Sequence, residues 1–446
     1  MGSPLLPVAY SFRIPSLHDS TPLDCRIHHP ESLVNVDCDS TAKWTRKAAV
    51  LAHPYAVLGG GFDDPILENV GAELLAQGYV VGTFNFRGAH NSSGRTSWTG
   101  KPELADYVSF AGALVCYINA LKLPSATSTF ASKTPDENET PIHIICGGYS
   151  YGSLIVTRLP PIETLLAPFQ STPTTHTASI IHQLASSLAA RTTEELLEQH
   201  EALKKQQNQL SPTSPRSFEI RRKSPVTVGG YDSDATGKQQ RKSQDAGAAG
   251  RRSLSLDLRR PQSWGKELRN SFHASRHHHR QHEDAVIDDD NKSNEAPTPL
   301  PPPTRLAISP AYLLISPLLP PLSFFIAPSL ALSSFSVPLL SSLSSSFSAP
   351  SSSGNPLTTH PTLVAFGSHD GFTGSKRLRA WCSKLAAEAE SNSPTTAAAA
   401  APSNETVASA RRVSWHEVDG AGHFWLEPGS MRELRGLVRT WAKNLG

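Results

Sequence analysis

The stretch IHIICGGYSYGSLIVTR (142–158) decides the reading of this chain. It opens on a short apolar run, Ile142–Cys146, with the composition of a buried parallel strand. Two glycines follow at once. Then comes Gly148-Tyr149-Ser150-Tyr151-Gly152, a G-x-S-x-G, and SLIVTR (153–158) is compatible with a helix. A serine held at a sharp strand-to-helix corner is a nucleophile elbow, and its glycines let neighbouring backbone approach closely. The bland alternative is an ordinary strand–helix turn with an N-capping serine.

Working outward, the same alternation recurs. Weak strand patterns lie at Ala9–Ile14 and Leu23–His28, and AAVLA (48–52) predicts a buried strand ended by His53-Pro54. Residues 65–77 carry Ile66, Leu67, Val70, Leu74 and Leu75 at helical spacing and stop at Gly78. YVVGTFNF (79–86) reads as a strand and Glu103–Leu121 as a helix. Strand–helix alternation of this kind predicts right-handed crossovers and a parallel sheet. After an interruption come strand patterns at YLLIS (312–316), TLVAF (362–366) and SWHEV (414–418), and helical patterns at 376–387 and 431–444. The expected fold class is therefore α/β: a mostly parallel central sheet flanked by helices, with a long, largely disordered insertion. The expected organisation is residues 1–160 as the N-terminal part of the core, 161–305 as a low-complexity insertion, and 306–446 as the C-terminal part. Within the insertion one helix is predicted from Thr193 to about Leu210, with Thr192 and Glu195 as a capping box.

A serine hydroxyl needs a base, and the chain order expected for such an elbow is serine, acid, histidine. Asp370 follows TLVAF in Gly-Ser-His-Asp, and His423 follows SWHEV in DGAGHFW (419–425). Both therefore fall at the carboxyl ends of predicted parallel strands, where open sheets of this type bind ligands. Asp419 is the competing acid, but it shares a loop with His423, whereas an orienting acid normally comes from another strand. His369 precedes the acid, and His416 sits within a strand as half-buried structure. An oxyanion site needs two N–H donors. The candidates are Tyr151, directly after the serine, and Tyr55 or alternatively Ala56, in the loop HPYAVLGGG (53–61).

Taken together, HP-x₄-GG, FNFRG (84–88), GYSYG, GSHD and GAGHFW resemble the α/β-hydrolase superfamily. More narrowly, they are similar to small bacterial and fungal hydrolases related to dienelactone-hydrolase-like and serine-aminopeptidase-like proteins. The resemblance covers about 45–158 and 308–446. It implies a serine hydrolase acting on a carboxylic ester, with a thioesterase or peptidase as runner-up, and no metal or organic cofactor. A non-catalytic scaffold on the same fold is the alternative, recruiting partners through PLPPP (299–303) or phosphoserines.

Other features bound the remaining functions. The formal net charge of +2 gives no sign of nucleic-acid binding. The partner expected is a small-molecule or acyl substrate. Cys25, Cys38, Cys116, Cys146 and Cys382 are odd in number and widely spaced, the pattern of reduced thiols in a cytoplasmic protein. Arg13, Asp19, Asp24 and Arg26 interrupt the first thirty residues, so no secretory signal is expected. From Leu306 to His369 there is no Lys, Arg, Asp or Glu. Pro317, Pro320, Pro321 and Pro328 break this run, each costing a helix about 3 kcal/mol, which argues for a cap or pocket wall rather than a membrane span. Contact of residues 318–343 with a membrane surface is the minor alternative. His277–His279 and His282 have no accompanying ligand frame and read as incidental.

Overall fold

In the computed structural model, residues 6–34, 44–123, 140–170, 173–210, 306–319, 354–392 and 412–445 are described. All of them lie within one compact unit. Eight strands form one sheet: β1 (Tyr10–Pro15), β2 (Pro22–His28), β3 (Lys47–Ala52), β4 (Val80–Phe84), β5 (Ile142–Tyr149), β6 (Ile308–Ile315), β7 (Thr362–His369) and β8 (Val413–Gly422), in the order β1-β2-β4-β3-β5-β6-β7-β8. The first two pairings are antiparallel, β1 with β2 and β2 with β4, and the rest are parallel.

The central strands are buried on both faces, and their side chains divide between two cores with period two. Ala48, Val50 and Ala52 of β3 enter one core, and Ala49 and Leu51 enter the other. The helices are α1 (Glu31–Val34), α2 (Pro65–Ala76), α3 (Lys101–Ala120), α4 (Tyr151–Val156), α5 (Ile162–Leu166), α6 (His176–Leu210), α7 (Pro356–Thr359), α8 (Ser375–Ser391) and α9 (Ser430–Lys443). The side chains of α2 and α9 complete one core, and those of α3 to α6 and α8 complete the other. The fold is thus the expected α/β class with helices on both faces of the sheet.

Two local readings need correction. The helix predicted from Thr193 begins at His176, seventeen residues earlier, inside a segment expected to be low complexity. Its buried stripe of Ala178, Ile181, Ala185, Ala189 and Leu196 is too alanine-rich to stand out from a linker. Thr192 is therefore mid-helix and not a cap. Its hydroxyl lies 2.8 Å from the Tyr117 hydroxyl and 2.9 Å from that of Tyr10, and Tyr117 lies 2.7 Å from Nε2 of His29. This buried polar chain ties α6 to β1 and α3. Burial pushes His29 down to about 4, so its ring is neutral there. The second correction concerns β6, which starts at Ile308 and includes Pro310. The Tyr312 N–H donates toward the β7 side, to Pro361 O, so the nitrogen of Pro310, two residues back, faces the same side. There β6 runs ahead of β7, whose pairing begins at Tyr312 with Thr362, and no ladder bond is lost. Residues 211–305, including the histidine cluster and the PLPPP stretch, lie outside the described residues, as do 320–343 and Cys38. The other four cysteines are buried and free. No helix among the described residues is long and apolar enough to cross a membrane.

The connection after β4 is fixed by a buried ion network. Arg87 Nε and a terminal nitrogen engage both carboxylate oxygens of Asp106 on α3, at 3.0 and 2.7 Å. The same guanidinium reaches Asp19 in the β1–β2 turn at 2.9 Å and Ser16 Oγ at 3.1 Å. Burial pushes the Asp19 carboxyl up, but the bonds from Arg87 and Thr21 outweigh it and hold it down at about 2. That interaction is present above the ordinary aspartate range and fades as pH falls toward 2. Arg87→Met strands the fully buried Asp106 charge. It is expected to lower unfolding free energy by about 3–5 kcal/mol in urea titrations, with Arg87→Met/Asp106→Leu recovering most of the loss.

Candidate active site

The parallel strands all end at one rim, and the sequence-predicted residues stand there. Ser150 directly follows β5, Asp370 directly follows β7, and His423 directly follows β8. Ser150 has φ 57° and ψ −111°, an uncommon conformation for a non-glycine residue that costs about 1–3 kcal/mol. The flanking glycines show what holds it. A Cβ on Gly148 would lie 2.3 Å from the carbonyl carbon of Gly152, and one on Gly152 would lie 2.2 Å from Ala52 O. The turn is therefore pressed against the end of β3 with no room for side chains. Ser153 Oγ lies 2.5 Å from Gly148 O and 2.9 Å from both the carbonyl oxygen and the N–H of Ile315, which clamps the turn to β6.

Three side chains form a continuous hydrogen-bonded chain. His423 Nε2 lies 2.8 Å from Ser150 Oγ, and His423 Nδ1 lies 2.8 Å from Asp370 Oδ2. All three residues are buried. Burial alone would raise the Asp370 carboxyl. The bond to His423 and two backbone N–H donors on Asp370 Oδ1, from Thr373 at 3.0 Å and Phe372 at 2.8 Å, outweigh that and hold it below the ordinary range. An ionised Asp370 accepts only, so Nδ1–H is the donor, and Nε2 is left to accept from the serine hydroxyl. The competing residues stand apart. Asp419 accepts from Ser368 at 3.2 Å on the surface, and His369 is exposed. His416 is exposed as well, not half-buried as its place in a strand suggested, because β8 is the sheet edge.

The donors expected for an oxyanion belong to helix beginnings or a turn. Tyr151 is the first residue of α4, and Ala56 opens the single helical turn Ala56–Leu58 preceded by Tyr55. Leading N–H groups of a helix have no intrahelical acceptor. The rings of Tyr55 and Tyr151 touch, with centroids 5.2 Å apart. This brings the loop after β3 beside the elbow.

Residue-level sequence reading missed several supports. His53 is fully buried. Its Nε2 accepts from the Phe86 N–H at 2.8 Å and its Nδ1 lies 2.6 Å from Pro54 O, which ties the Tyr55 loop to the loop after β4. Burial pushes His53 down to about 3, which keeps it a neutral strut. The Tyr149 hydroxyl donates to the His423 carbonyl at 3.0 Å, and the Trp425 indole N–H donates to Ser316 Oγ at 3.1 Å. The histidine loop is thus pinned from β5 and β6. Phe372 stacks obliquely on the imidazole, with centroids 4.3 Å apart. The available signals were HP after an apolar run, and aromatics next to motif positions. Neither indicates a direction of contact.

An eight-stranded, mostly parallel sheet in this order, with helices on both faces, has the architecture of the α/β-hydrolase fold. No family model and no curated protein sequence matches the chain. Among solved structures, the chain is similar to an α/β serine hydrolase homologue from Coxiella burnetii, at 11% identity, covering 98% of each chain with TM-score 0.37. It is likewise similar to an α/β serine hydrolase without lid from Xanthomonas campestris, at 11% identity, covering 99% of this chain and 97% of that one with TM-score 0.40. A third is Est1E from Butyrivibrio proteoclasticus, at 10% identity, covering 98% of each chain with TM-score 0.37.

The glycine contacts give a contrast to test. Gly152→Ala drives a methyl into backbone and should cost about 2–3 kcal/mol in thermal or urea unfolding. Gly371→Ala, beside Asp370 but with nothing within 4 Å of its Cβ, should stay within about 0.5 kcal/mol of wild type.

Proposed function

We propose that this chain is a serine hydrolase that cleaves carboxylic esters through an acyl-enzyme. The observation that carries this reading is the buried Ser150–His423–Asp370 chain, with both hydrogen bonds at 2.8 Å, on a strained elbow at the rim where the parallel strands end. Ser150 Oγ attacks the carbonyl carbon while His423 Nε2 takes its proton. Asp370 holds the imidazole in the reactive tautomer and stabilises its charged form. The N–H of Tyr151, with that of Tyr55 or Ala56, faces the charge that develops on the carbonyl oxygen. The C–O bond to the alcohol then breaks, and the proton on Nε2 passes to the departing oxygen. A water molecule, deprotonated by the same nitrogen, releases the acid and restores Ser150. An ester's alkoxide departs more readily than the far more basic nitrogen of an amide, which puts esters ahead of amides; a thioester would pass through the same steps.

The test is a pair of measurements on the full chain. A fluorophosphonate probe should label wild type and leave Ser150→Ala unlabelled. Asp370→Asn, which keeps the shape but loses the tautomer control, should lower kcat on a short-chain aryl ester by about 10⁴-fold. Equal labelling of wild type and Ser150→Ala would exclude the assignment, and full activity in Asp370→Asn would remove the aspartate from it.

A further inference from the structure

Around the imidazole of His423 the ring contacts are Tyr149 at 5.6 Å, Phe372 at 4.3 Å and Phe424 at 5.5 Å. Tyr149 is buried beneath the ring, and its hydroxyl is occupied by the His423 carbonyl. Toward solvent the imidazole is thus flanked by the rings of Phe372 and Phe424. Phe372 and Phe424 meet edge to face with centroids 5.6 Å apart, and Phe424 remains 55% exposed. Leu426, in the same loop, is 84% exposed. On the Phe372 side the chain after β6 arrives, its Leu319 N–H bonded to Thr373 Oγ1 at 3.2 Å. Phe372 is half-buried against the core, whereas Phe424 and Leu426 leave apolar surface in solvent beside a reactive group, which is where a binding surface is expected.

Resting on the hydrolase reading above, we propose that Phe424 and Phe372 form the seat of the leaving alcohol, and that the substrates are esters of apolar alcohols, aryl-alkyl or similarly bulky. The path of the proton argues for this placement. During acylation the bond from Ser150 Oγ to the carbonyl carbon forms and the bond from that carbon to the alcohol oxygen breaks. The departing oxygen takes its proton from His423 Nε2, so it lies within hydrogen-bond reach of that atom. The proposed oxyanion donors, Tyr151 and Tyr55 or Ala56, lie on the elbow and on the loop after β3, and not on the histidine loop. The carbonyl oxygen turns toward those donors, and the alcohol oxygen turns toward the imidazole. Whatever the alcohol oxygen carries then projects past His423 onto the aromatic pair. An apolar group there loses water against two ring surfaces, whereas a polar group gains no partner from either. Phe424 and Phe372 act on alcohol selectivity and take no part in proton transfer.

The experiment compares kcat/KM of the full chain on phenethyl acetate and 2-methoxyethyl acetate, two primary-alcohol esters that give the same acyl-enzyme. Wild type is expected to favour phenethyl acetate. Phe424→Ala should cut that preference about tenfold, and Phe424→Leu should restore most of it. Lengthening the acyl group from acetate to butyrate at fixed alcohol should leave the ratio of wild type to Phe424→Ala unchanged. An alcohol preference that survives Phe424→Ala, or a variant that shifts acyl preference instead, would overturn the proposal while leaving the hydrolase reading intact, provided Ser150→Ala still abolishes turnover. Fluorophosphonate labelling without turnover of either ester would also overturn the alcohol assignment alone. Absence of both labelling and turnover would bring down the hydrolase reading and this one with it.

Discussion

The backbone of Ser150 is forced to positive φ because Gly148 and Gly152 let the turn close against the ends of β3 and β6. Everything else at the site depends on that closure. A relaxed turn would carry the hydroxyl away from His423 and move the N–H of Tyr151 with it. The cost of the strained residue, about 1–3 kcal/mol, is offset by what surrounds it: β5 is buried between β3 and β6, and Ser153 bonds to Ile315. A strained conformation persists only where neighbours over-determine it, and here three strands do so.

The second requirement is that the partners arrive from far along the chain and hold still. His423 is fixed from three directions: Asp370 on its ring, Tyr149 on its carbonyl, and Trp425 anchoring the next residues to Ser316. Asp370 is itself held by backbone N–H groups of its own loop. On the opposite flank, neutral His53 couples the Tyr55 loop to the chain after β4, which Arg87 locks onto α3. The rim is thus assembled from loops that are each tied to a neighbouring strand, so the geometry does not rely on any one loop's own rigidity.

Much of this was legible in the amino-acid sequence because the decisive signals are local. An apolar run followed by Gly-Gly-Tyr-Ser-Tyr-Gly states a strand, a corner and a helix, and glycine-rich loops after TLVAF and SWHEV place an acid and a histidine at strand ends. What stayed hidden depends on contacts between distant segments. The helix His176–Leu210 buries three alanines, Thr192 and His200 beside only Ile181 and Leu196, so its composition matches a linker until α3 and β1 are placed against it. Pro310 speaks against a central strand until the stagger between β6 and β7 is known. The supporting bonds of His53 and Tyr149 run to backbone atoms, which carry no residue signature, and the direction of the Phe372 and Phe424 rings cannot be read from their order in the chain.

In the proposed reaction the hydroxyl of Ser150 becomes acylated. Mixing the protein with excess activated ester, quenching in acid within the first turnover and mapping the digest by mass spectrometry tests this most directly. One acyl group per chain is expected, on the peptide that carries Ser150. An acyl group found on another residue, or hydrolysis proceeding with that peptide unmodified at every quench time, would contradict it.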